Sequence, residues 1–190
     1  MDQVFTNKNF DKNDFLENHL ETGEYENCIF RNCDFSSSDF SDCSFWECEF
    51  IACNISLVKL TKTTFRDINF QDCKMLGLHF ENCNPFSLSF SFDGCILTHS
   101  SFYQLKIKKT IFKNTQLHEV DFTECDLAGA LFHNCDLMST VFENTILEKV
   151  DFSTSFNYSI DPEMNKIKKA KFSLPEVIGL LNKYDIEIVN

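Results

Sequence analysis

The sequence predicts a continuous coil of five-residue units that winds around its own side chains, and two periodic series of residues predict it. A large apolar residue occupies every fifth position from Phe5 to Phe90 and again from Leu97 to Phe152, with Pro85 as the exception. This central series holds 18 of the 22 phenylalanines, and all ten cysteines lie two residues before one of its members. Neither the helical period of 3.6 nor the strand period of 2 gives a spacing of five. Each unit therefore turns two residues inward, a large central one and a small one two positions earlier.

The pattern resembles the pentapeptide-repeat proteins, and the resemblance covers about four fifths of the chain. It implies an all-β fold, a right-handed quadrilateral β-helix with four units per turn and turns spaced by about 4.8 Å. We assign residues 1–154 to this coil. A two-residue shift of the central series indicates a register slip near residues 91–94, at Asp93-Gly94. We expect the first turn to be irregular, because the small-residue series fails before Cys28.

Residues 155–190 are predicted to form the last partial turn, a capping helix and a terminal strand. Ser173-Leu-Pro-Glu176 matches a capping box, in which the serine side chain and the glutamate each satisfy a backbone donor. A helix and strand with exposed apolar residues, beyond the last turn of a rod, favour isologous pairing of two copies. The predicted dimer interface comprises Val177, Ile178, Leu181, Ile186 and Ile188.

The composition limits the possible partners and the location. The chain of 190 residues has a formal net charge of −12, which argues against direct binding to nucleic acid or to an anionic membrane. No apolar run approaches the 18 residues of a membrane span, and the N-terminus lacks the pattern of a signal peptide. We expect a cytoplasmic protein.

The cysteines and histidines are not expected to form a catalytic or metal site. The cysteines repeat as Cys-x4-Cys in positions that other units fill with Ser, Thr, Val or Ala, which indicates reduced thiols in the core. Stacked thiols that oxidise or bind a soft metal are the alternative. The five histidines lie in outward positions, without a partner at ligand spacing. Phosphate-binding loops and hydrolase motifs are missing, so we expect neither enzyme activity nor a cofactor.

With four units per turn, residues twenty apart share a face, and the acidic residues concentrate on two adjacent faces. Acidic face 1 is centred on Leu20, Phe40, Leu60, Phe80, Phe102, Phe122 and Phe142. It carries a net charge of −5, from Glu21, Asp39, Asp42, Glu81, Asp121, Glu124 and Glu143 against Lys59 and Lys62. Acidic face 2 is centred on Phe15, Phe35, Ile55, Met75, Leu97, Leu117 and Leu137. It carries −4, from Asp14, Glu17, Asp34, Glu119 and Asp136 against Lys74.

Along a rod of ~36 Å these faces place one excess charge every ~4 Å, close to the ~3.4 Å between phosphates of one DNA strand. The two faces therefore have a physical basis for competing with DNA for a basic groove. The alternative is that Asp and Asn suit the tight corners of the coil and that acidity keeps a phenylalanine-rich rod in solution.

Segments outside the repeat consensus resemble the topoisomerase-protecting group of pentapeptide-repeat proteins: the albicidin-resistance, microcin B17 immunity and Qnr types. The greatest similarity is to the albicidin-resistance type. The segments are Asp72-Cys-Lys-Met-Leu-Gly77, Cys95-Ile-Leu97 before Phe102-Tyr103, Asn157-Tyr158, Phe172-Ser-Leu-Pro-Glu176, Leu180-Leu-Asn182 and Asp185-Ile-Glu187.

This resemblance implies an acidic, DNA-shaped homodimer that binds DNA gyrase or topoisomerase IV and relieves poisoning by drugs or toxins. The twelve acidic residues of the two faces would be the contact with the topoisomerase. The projecting loops of some Qnr proteins have no counterpart in the sequence, so loop-dependent protection is not carried over. A passive scaffold without a topoisomerase partner is the alternative function.

Overall fold

The computed structural model describes residues 3–15, 20–184, 186–187 and 189. Its regular structure is almost entirely short parallel strands, each of three or four residues. The described strands are β1 (Gln3–Thr6), β2 (Asn9–Asp11), β3 (Gly23–Glu26), β4 (Ile29–Arg31), β5 (Ser44–Trp46), β6 (Glu49–Ile51), β7 (Thr64–Arg66), β8 (Ile68–Gln71), β9 (Phe90–Asp93), β10 (Ile111–Lys113) and β11 (Leu131–His133). The strands stay short because the chain turns a corner after every unit.

The strands stack into two parallel sheets on adjacent faces of the coil. One sheet has the order β1-β3-β5-β7, and the other has the order β11-β10-β9-β8-β6-β4-β2. Phe10 pairs with Phe30, and Phe30 pairs with Phe50, so one turn takes twenty residues, or four units. The other two faces are joined by single-residue parallel bridges. The predicted all-β solenoid with four units per turn is confirmed.

The core is a column of stacked rings along the axis of the coil. Central residues from Leu20 to Phe152 are buried, with the exposed Pro85 as the exception. Phe112 lies parallel to Phe92 and Phe132, with ring centroids 5.2 Å and 4.7 Å away. It meets Phe102 and Phe122, which lie on the opposite face, edge to face across the interior. Both arrangements are favourable for aromatic rings, so one phenylalanine contacts the turns above and below and the opposite side of the coil.

The small inward position is suited to a side chain that can donate a hydrogen bond. The Cys48 thiol donates to the Tyr25 carbonyl oxygen at 3.3 Å, and the Thr63 hydroxyl donates to the Phe40 carbonyl oxygen at 2.8 Å. In both cases the acceptor is the central residue of the preceding turn, 23 residues earlier. Because a thiol or hydroxyl satisfies this carbonyl without adding bulk, Cys, Ser and Thr alternate in the small-residue series.

The outward corner of each unit, two residues after the central one, adopts the left-handed conformation. Asp42, Glu47 and Lys62 have φ values of 60°, 52° and 58°. Asn and Asp tolerate this region better than other non-glycine residues, which accounts for much of the polar composition of the corners. Backbone hydrogen bonds between turns hold these corners in place, such as the one from the Asp42 amide to the Thr61 carbonyl at 3.0 Å.

The two extra residues enter the coil earlier than predicted, and the slip near residues 91–94 is wrong in position. Phe70 pairs with Phe92 and Gln71 pairs with Asp93, so Asp93 is already in register. The offset arises in the turn 84–89, after a short 3₁₀ segment at Phe80–Asn82. The spacing of five places Phe90 in the central series. In the structure, Phe90 occupies the small inward position, because it pairs with Ile68 of the preceding turn.

The two ends of the coil depart in part from expectation. The first turn is regular where it is described, since β1 pairs with β3 and β2 pairs with β4. At the other end, the predicted capping helix is two 3₁₀ segments, Glu176–Leu180 and Asn182–Tyr184. Residues 186–187 and 189 of the predicted terminal strand lie outside any strand, and Ile188 lies outside the described residues.

The capping box forms only in part. The Glu176 amide donates to the Ser173 hydroxyl at 3.3 Å, as predicted. The Glu176 carboxylate, however, accepts from the Asn157 amide at 3.2 Å and so ties the cap to the last turn. Gly179 packs so closely that a Cβ there would collide with the Tyr158 carbonyl oxygen. The cap is therefore fixed on the coil both by side-chain contacts, as at Glu176, and by close backbone packing at Gly179.

All ten cysteines are buried free thiols, and we expect them to react slowly in the native protein. Burial raises the pKa of Cys48 and Cys135 to about 12, which removes the reactive thiolate at neutral pH. Titration with a water-soluble thiol reagent should modify fewer than one thiol per chain without denaturant and all ten in concentrated urea. Rapid modification of several thiols in the native protein would contradict the inward orientation.

Candidate interaction faces

The two acidic faces are assembled as the twenty-residue spacing predicts. On acidic face 1, Asp39 bridges to Lys59, and Ser101 bridges to Asp121, which bridges to Val141. On acidic face 2, the column of bridges runs Asp34, Asn54, Lys74, Ile96, Gln116 and Asp136. The described candidates are exposed or half-buried; these are Asp14, Glu21, Asp34, Asp39, Asp42, Glu81, Glu119, Asp121, Glu124, Asp136 and Glu143. Glu17 lies outside the described residues.

Several of these carboxylates have a cationic or imidazole partner within the chain. Lys59 contacts Asp39 at 3.1 Å, His79 contacts Glu81 at 2.9 Å, and His99 contacts Glu119 at 3.3 Å. The expectation that histidines lack a carboxylate partner is therefore wrong. His99 and Glu119 are twenty residues apart, so the spacing of the turns alone would have predicted that they lie side by side.

Asp136 is the most strongly engaged of the acidic candidates. Its carboxylate lies 2.7 Å from His118 Nε2 and accepts from the Asn157 side-chain amide at 2.8 Å. His118 is half-buried, and its other ring nitrogen lies 2.7 Å from the side-chain amide of Gln116. These contacts stabilise the stacking of successive turns, so Asp136 contributes less to an external contact than its position in the sequence suggests.

Other carboxylates accept hydrogen bonds from backbone amides where the chain turns, and they are ionised at neutral pH. Asp39 accepts from the Ser41 amide at 2.8 Å, and Asp121 accepts from the Thr123 amide at 2.8 Å. Hydrogen bonds from Ser41, together with the Lys59 ammonium, lower the pKa of Asp39 to about 2. Hydrogen bonds from Ser36 likewise lower the pKa of Asp34. Asp39 and Asp34 are therefore ionised at neutral pH.

Glu21, Asp42, Glu124 and Glu143 make no ion pair with a described residue and are exposed. Asp42 and Glu124 lie at left-handed corners of acidic face 1, with φ values of 60° and 57°. Glu124 accepts from the Gln104 side-chain amide at 2.8 Å, which fixes its position against the turn below. These residues leave the negative charge of acidic face 1 exposed to solvent.

The C-terminal module exposes a second kind of surface, which is apolar. Of the predicted interface residues, Val177, Ile178 and Ile186 are exposed and Leu181 is half-buried. Ile188 lies outside the described residues. Leu174, Tyr184 and Val189, which the sequence prediction omitted, are exposed on the same module, Leu174 by 87%. Exposed apolar side chains gathered in one segment are more typical of contact surfaces than of a solvated chain end.

The described residues show neither a metal site nor a membrane span. No group of three or more His, Cys, Asp or Glu side chains among them is arranged to bind a metal ion. The concave features are shallow depressions between turns, such as the one lined by Asn114, Gln116, His118, Asp136 and Phe156. No helix in the described part of the chain is long and apolar enough to cross a membrane.

The profile of the pentapeptide repeat region matches residues 23–91 and 88–156, which is more than half of the sequence. The chain therefore belongs to the pentapeptide-repeat proteins, as its coil and its two inward series indicate. None of the curated proteins compared matches the sequence significantly.

Solved structures extend the likeness in fold. A trypsin-treated variant of QnrB1, a plasmid-mediated fluoroquinolone resistance protein, superposes with a TM-score of 0.56 at 16% identity and full coverage of both chains. Full-length QnrB1 gives a TM-score of 0.48 at 18% identity, covering 96% of this chain and 97% of its own. HetL of Nostoc sp. strain PCC 7120, involved in heterocyst differentiation regulation, gives 0.41 at 13% identity, covering 90% and 84%. At 16% identity, the likeness to the trypsin-treated QnrB1 variant shows the fold alone.

Proposed function

We propose that the protein is a DNA mimic that binds DNA gyrase or topoisomerase IV and protects the enzyme from topoisomerase poisons. The observation that carries the proposal is the excess negative charge of the two acidic faces, which Lys59, Lys62 and Lys74 interrupt in one part of the coil. Six spacings of about 4.8 Å separate the turn of Glu21 from that of Glu143, a length of roughly 29 Å. Nine excess charges over this length approach the linear charge density of one DNA strand.

The rigidity of the surface supports the same proposal. The carboxylates project from a coil whose turns are joined by backbone hydrogen bonds, such as the one from the Glu124 amide to the Glu143 carbonyl at 2.8 Å. A preorganised array of charges loses little conformational entropy when a basic groove binds it.

Two further features support this assignment. The fold is shared with QnrB1, a fluoroquinolone resistance protein, and segments outside the repeat resemble the albicidin-resistance type. The proposed role is therefore protection of the enzyme in the cytoplasm against an inhibitor of this kind, through binding alone and without catalysis or a cofactor.

The test is DNA supercoiling by purified gyrase, and relaxation by topoisomerase IV, with and without the protein. We expect an effect at micromolar protein that weakens steeply between about 50 and 200 mM salt, because the contact replaces a polyanion. In the presence of a fluoroquinolone or albicidin, the protein should restore part of the activity. An absence of any effect on either enzyme at all concentrations would favour the scaffold alternative.

We further propose that two copies pair through the C-terminal module, with Val177, Ile178, Leu181, Ile186 and Ile188 in the interface. End-to-end pairing of two coils would double the length of the acidic surface and bury the apolar cluster. Changing Ile178 and Leu181 to glutamate should convert a dimer to a monomer in light scattering at micromolar concentration. Leu57→Glu, at an exposed apolar residue on the side of the coil, is the matched control and should remain dimeric.

Circular dichroism should show that the I178E/L181E variant keeps its β-structure, since both side chains lie outside the buried column. A monomeric wild-type protein at micromolar concentration would remove this interface.

A further inference from the structure

One face of the coil is basic over its C-terminal half, although the whole protein is acidic. The segment Lys106-Ile-Lys-Lys109 recurs sixty residues later, or three turns along, as Lys166-Ile-Lys-Lys169. Lys106 bridges to Asp126, Asp126 to Ile146, and Ile146 to Lys166, so the two segments lie on the same face. This basic face comprises Lys106, Lys108, Lys109, Lys149, Lys166, Lys168 and Lys169.

The lysines of the basic face are exposed, and most of them lack a carboxylate partner. Lys108 contacts Asp126 at 3.1 Å, and none of the other six forms an ion pair within the described part of the chain. Asp126 and Glu148 are the acidic residues of this face over the same four turns, which leaves the face a net charge of +5. The four turns span three spacings of about 4.8 Å, or roughly 14 Å.

The basic face keeps a positive local charge although acidic face 1 borders it: Phe122 is one unit before Leu127, and Glu124 lies at the corner between the two faces. On its other side, the face centred on Phe112 carries Lys113 and Lys171 against Asp151. The basic face is centred on Ile107, two units before Leu117, so acidic face 2 lies on the opposite side of the coil. The path through solvent around the coil from acidic face 2 to the basic face is longer than the packed interior of about 10 Å, and salt screens exposed charges over such a path, since the Debye length is ~8 Å at physiological ionic strength. A polyanion that approaches the basic face therefore meets a locally positive surface.

We propose that the basic face binds the phosphate backbone of duplex DNA without reading its sequence. Between the lysines, the outward residues include Ala128, Gly129 and the half-buried Ile146, with no aromatic side chain. A protein partner would find no apolar anchor there, and lysine is depleted from the centres of protein interfaces. Single-stranded nucleic acid would lack a stacking platform. For a membrane, the face offers no large apolar side chains that could insert between the lipids.

The left-handed corner residues of the basic face can be changed without disturbing the coil. Lys109, Lys149 and Lys169 have φ values of 59°, 60° and 61°, and Glu47, Glu119 and Glu124 occupy the same corner position elsewhere. The triple change K109E/K149E/K169E therefore reverses three charges with residues that this corner already accepts. The control K59E/K62E/K74E makes the same change in net charge on the two acidic faces.

The test is fluorescence anisotropy of a labelled duplex of about 20 base pairs with the full chain, in about 50 and 200 mM salt. If four to six lysines contact phosphates, the wild-type affinity should fall by about 10²- to 10³-fold between the two salt concentrations. At the lower salt concentration, K109E/K149E/K169E should lose more than about tenfold in affinity, while the control stays within about threefold of wild type.

An absence of wild-type binding at the lower salt concentration, or equal losses in the two variants, would overturn the proposal. So would binding to vesicles of anionic phospholipid without binding to the duplex, or self-association that the triple variant abolishes without any duplex binding. The assay contains no topoisomerase, so its outcome is independent of the function proposed for the acidic faces.

Discussion

Replacing Asp42 and Glu124 by lysine is expected to weaken the effect of the protein on gyrase or topoisomerase IV by more than about tenfold. The two changes reverse charges that no described cation neutralises, near opposite ends of acidic face 1. Because a contact that imitates DNA depends on the number of charges facing the basic groove, the loss should be greatest at low salt. The measurement is the protein concentration that gives half-maximal effect in the supercoiling assay.

The fold should survive these changes. Both residues lie outside the buried column, and Lys62 and Lys109 already occupy the same left-handed corner, with φ values of 58° and 59°. Surface substitutions of this kind usually change the free energy of unfolding by less than about 0.5 kcal/mol. Thermal unfolding followed by circular dichroism should therefore coincide with that of the wild type.

The matched control is E24K/E47K, on the adjoining face centred on Tyr25 and Phe45. Glu47 is five residues from Asp42 and has the same corner geometry, with φ of 52°. The two variants have equal net charge, so an effect of net charge alone predicts equal losses. Mimicry predicts that E24K/E47K changes the half-maximal concentration by less than about threefold, and equal losses would contradict it.

The sequence predicts most of the fold because every unit repeats the same physical requirement. Large rings such as Phe112 stack on their equivalents in adjacent turns, so the periodic positions alone identify the core. The slip was misplaced because both Phe90 and Phe92 point inward in one strand, and a periodic count cannot tell which of them is central. Only the pairing of Phe70 with Phe92 decides it.

The candidate faces were harder to predict in detail. Formal charges can be assigned to faces from the spacing, but their neutralisation depends on side-chain reach, as in the contact of His118 with Asp136. The basic face was missed because Lys166, Lys168 and Lys169 follow the last clear repeat and were counted with the C-terminal module. The bridge from Ile146 to Lys166 shows that they continue the coil.

Phe112→Ala is expected to destabilise the protein by about 3–5 kcal/mol, a large share of the ~5–15 kcal/mol that typically separates folded from unfolded protein. The ring is fully buried and contacts four other rings, Phe92, Phe102, Phe122 and Phe132. Its removal leaves a cavity in the middle of the column. In a solenoid each turn is stabilised by its neighbours, so the damage extends to the turns on both sides. Urea unfolding followed by circular dichroism measures the loss.

Two controls separate this cavity from a general effect of losing a phenylalanine. Phe86→Ala removes a ring that is 80% exposed in the turn 84–89, and it should change the free energy of unfolding by less than about 0.5 kcal/mol. Phe112→Leu should cost less than Phe112→Ala, because Leu97 and Leu117 fill the same central position in other units and are fully buried. Equal destabilisation by Phe112→Ala and Phe86→Ala would show that the ring column does not hold the turns together. The stability of the coil would then have to come from the backbone ladders alone.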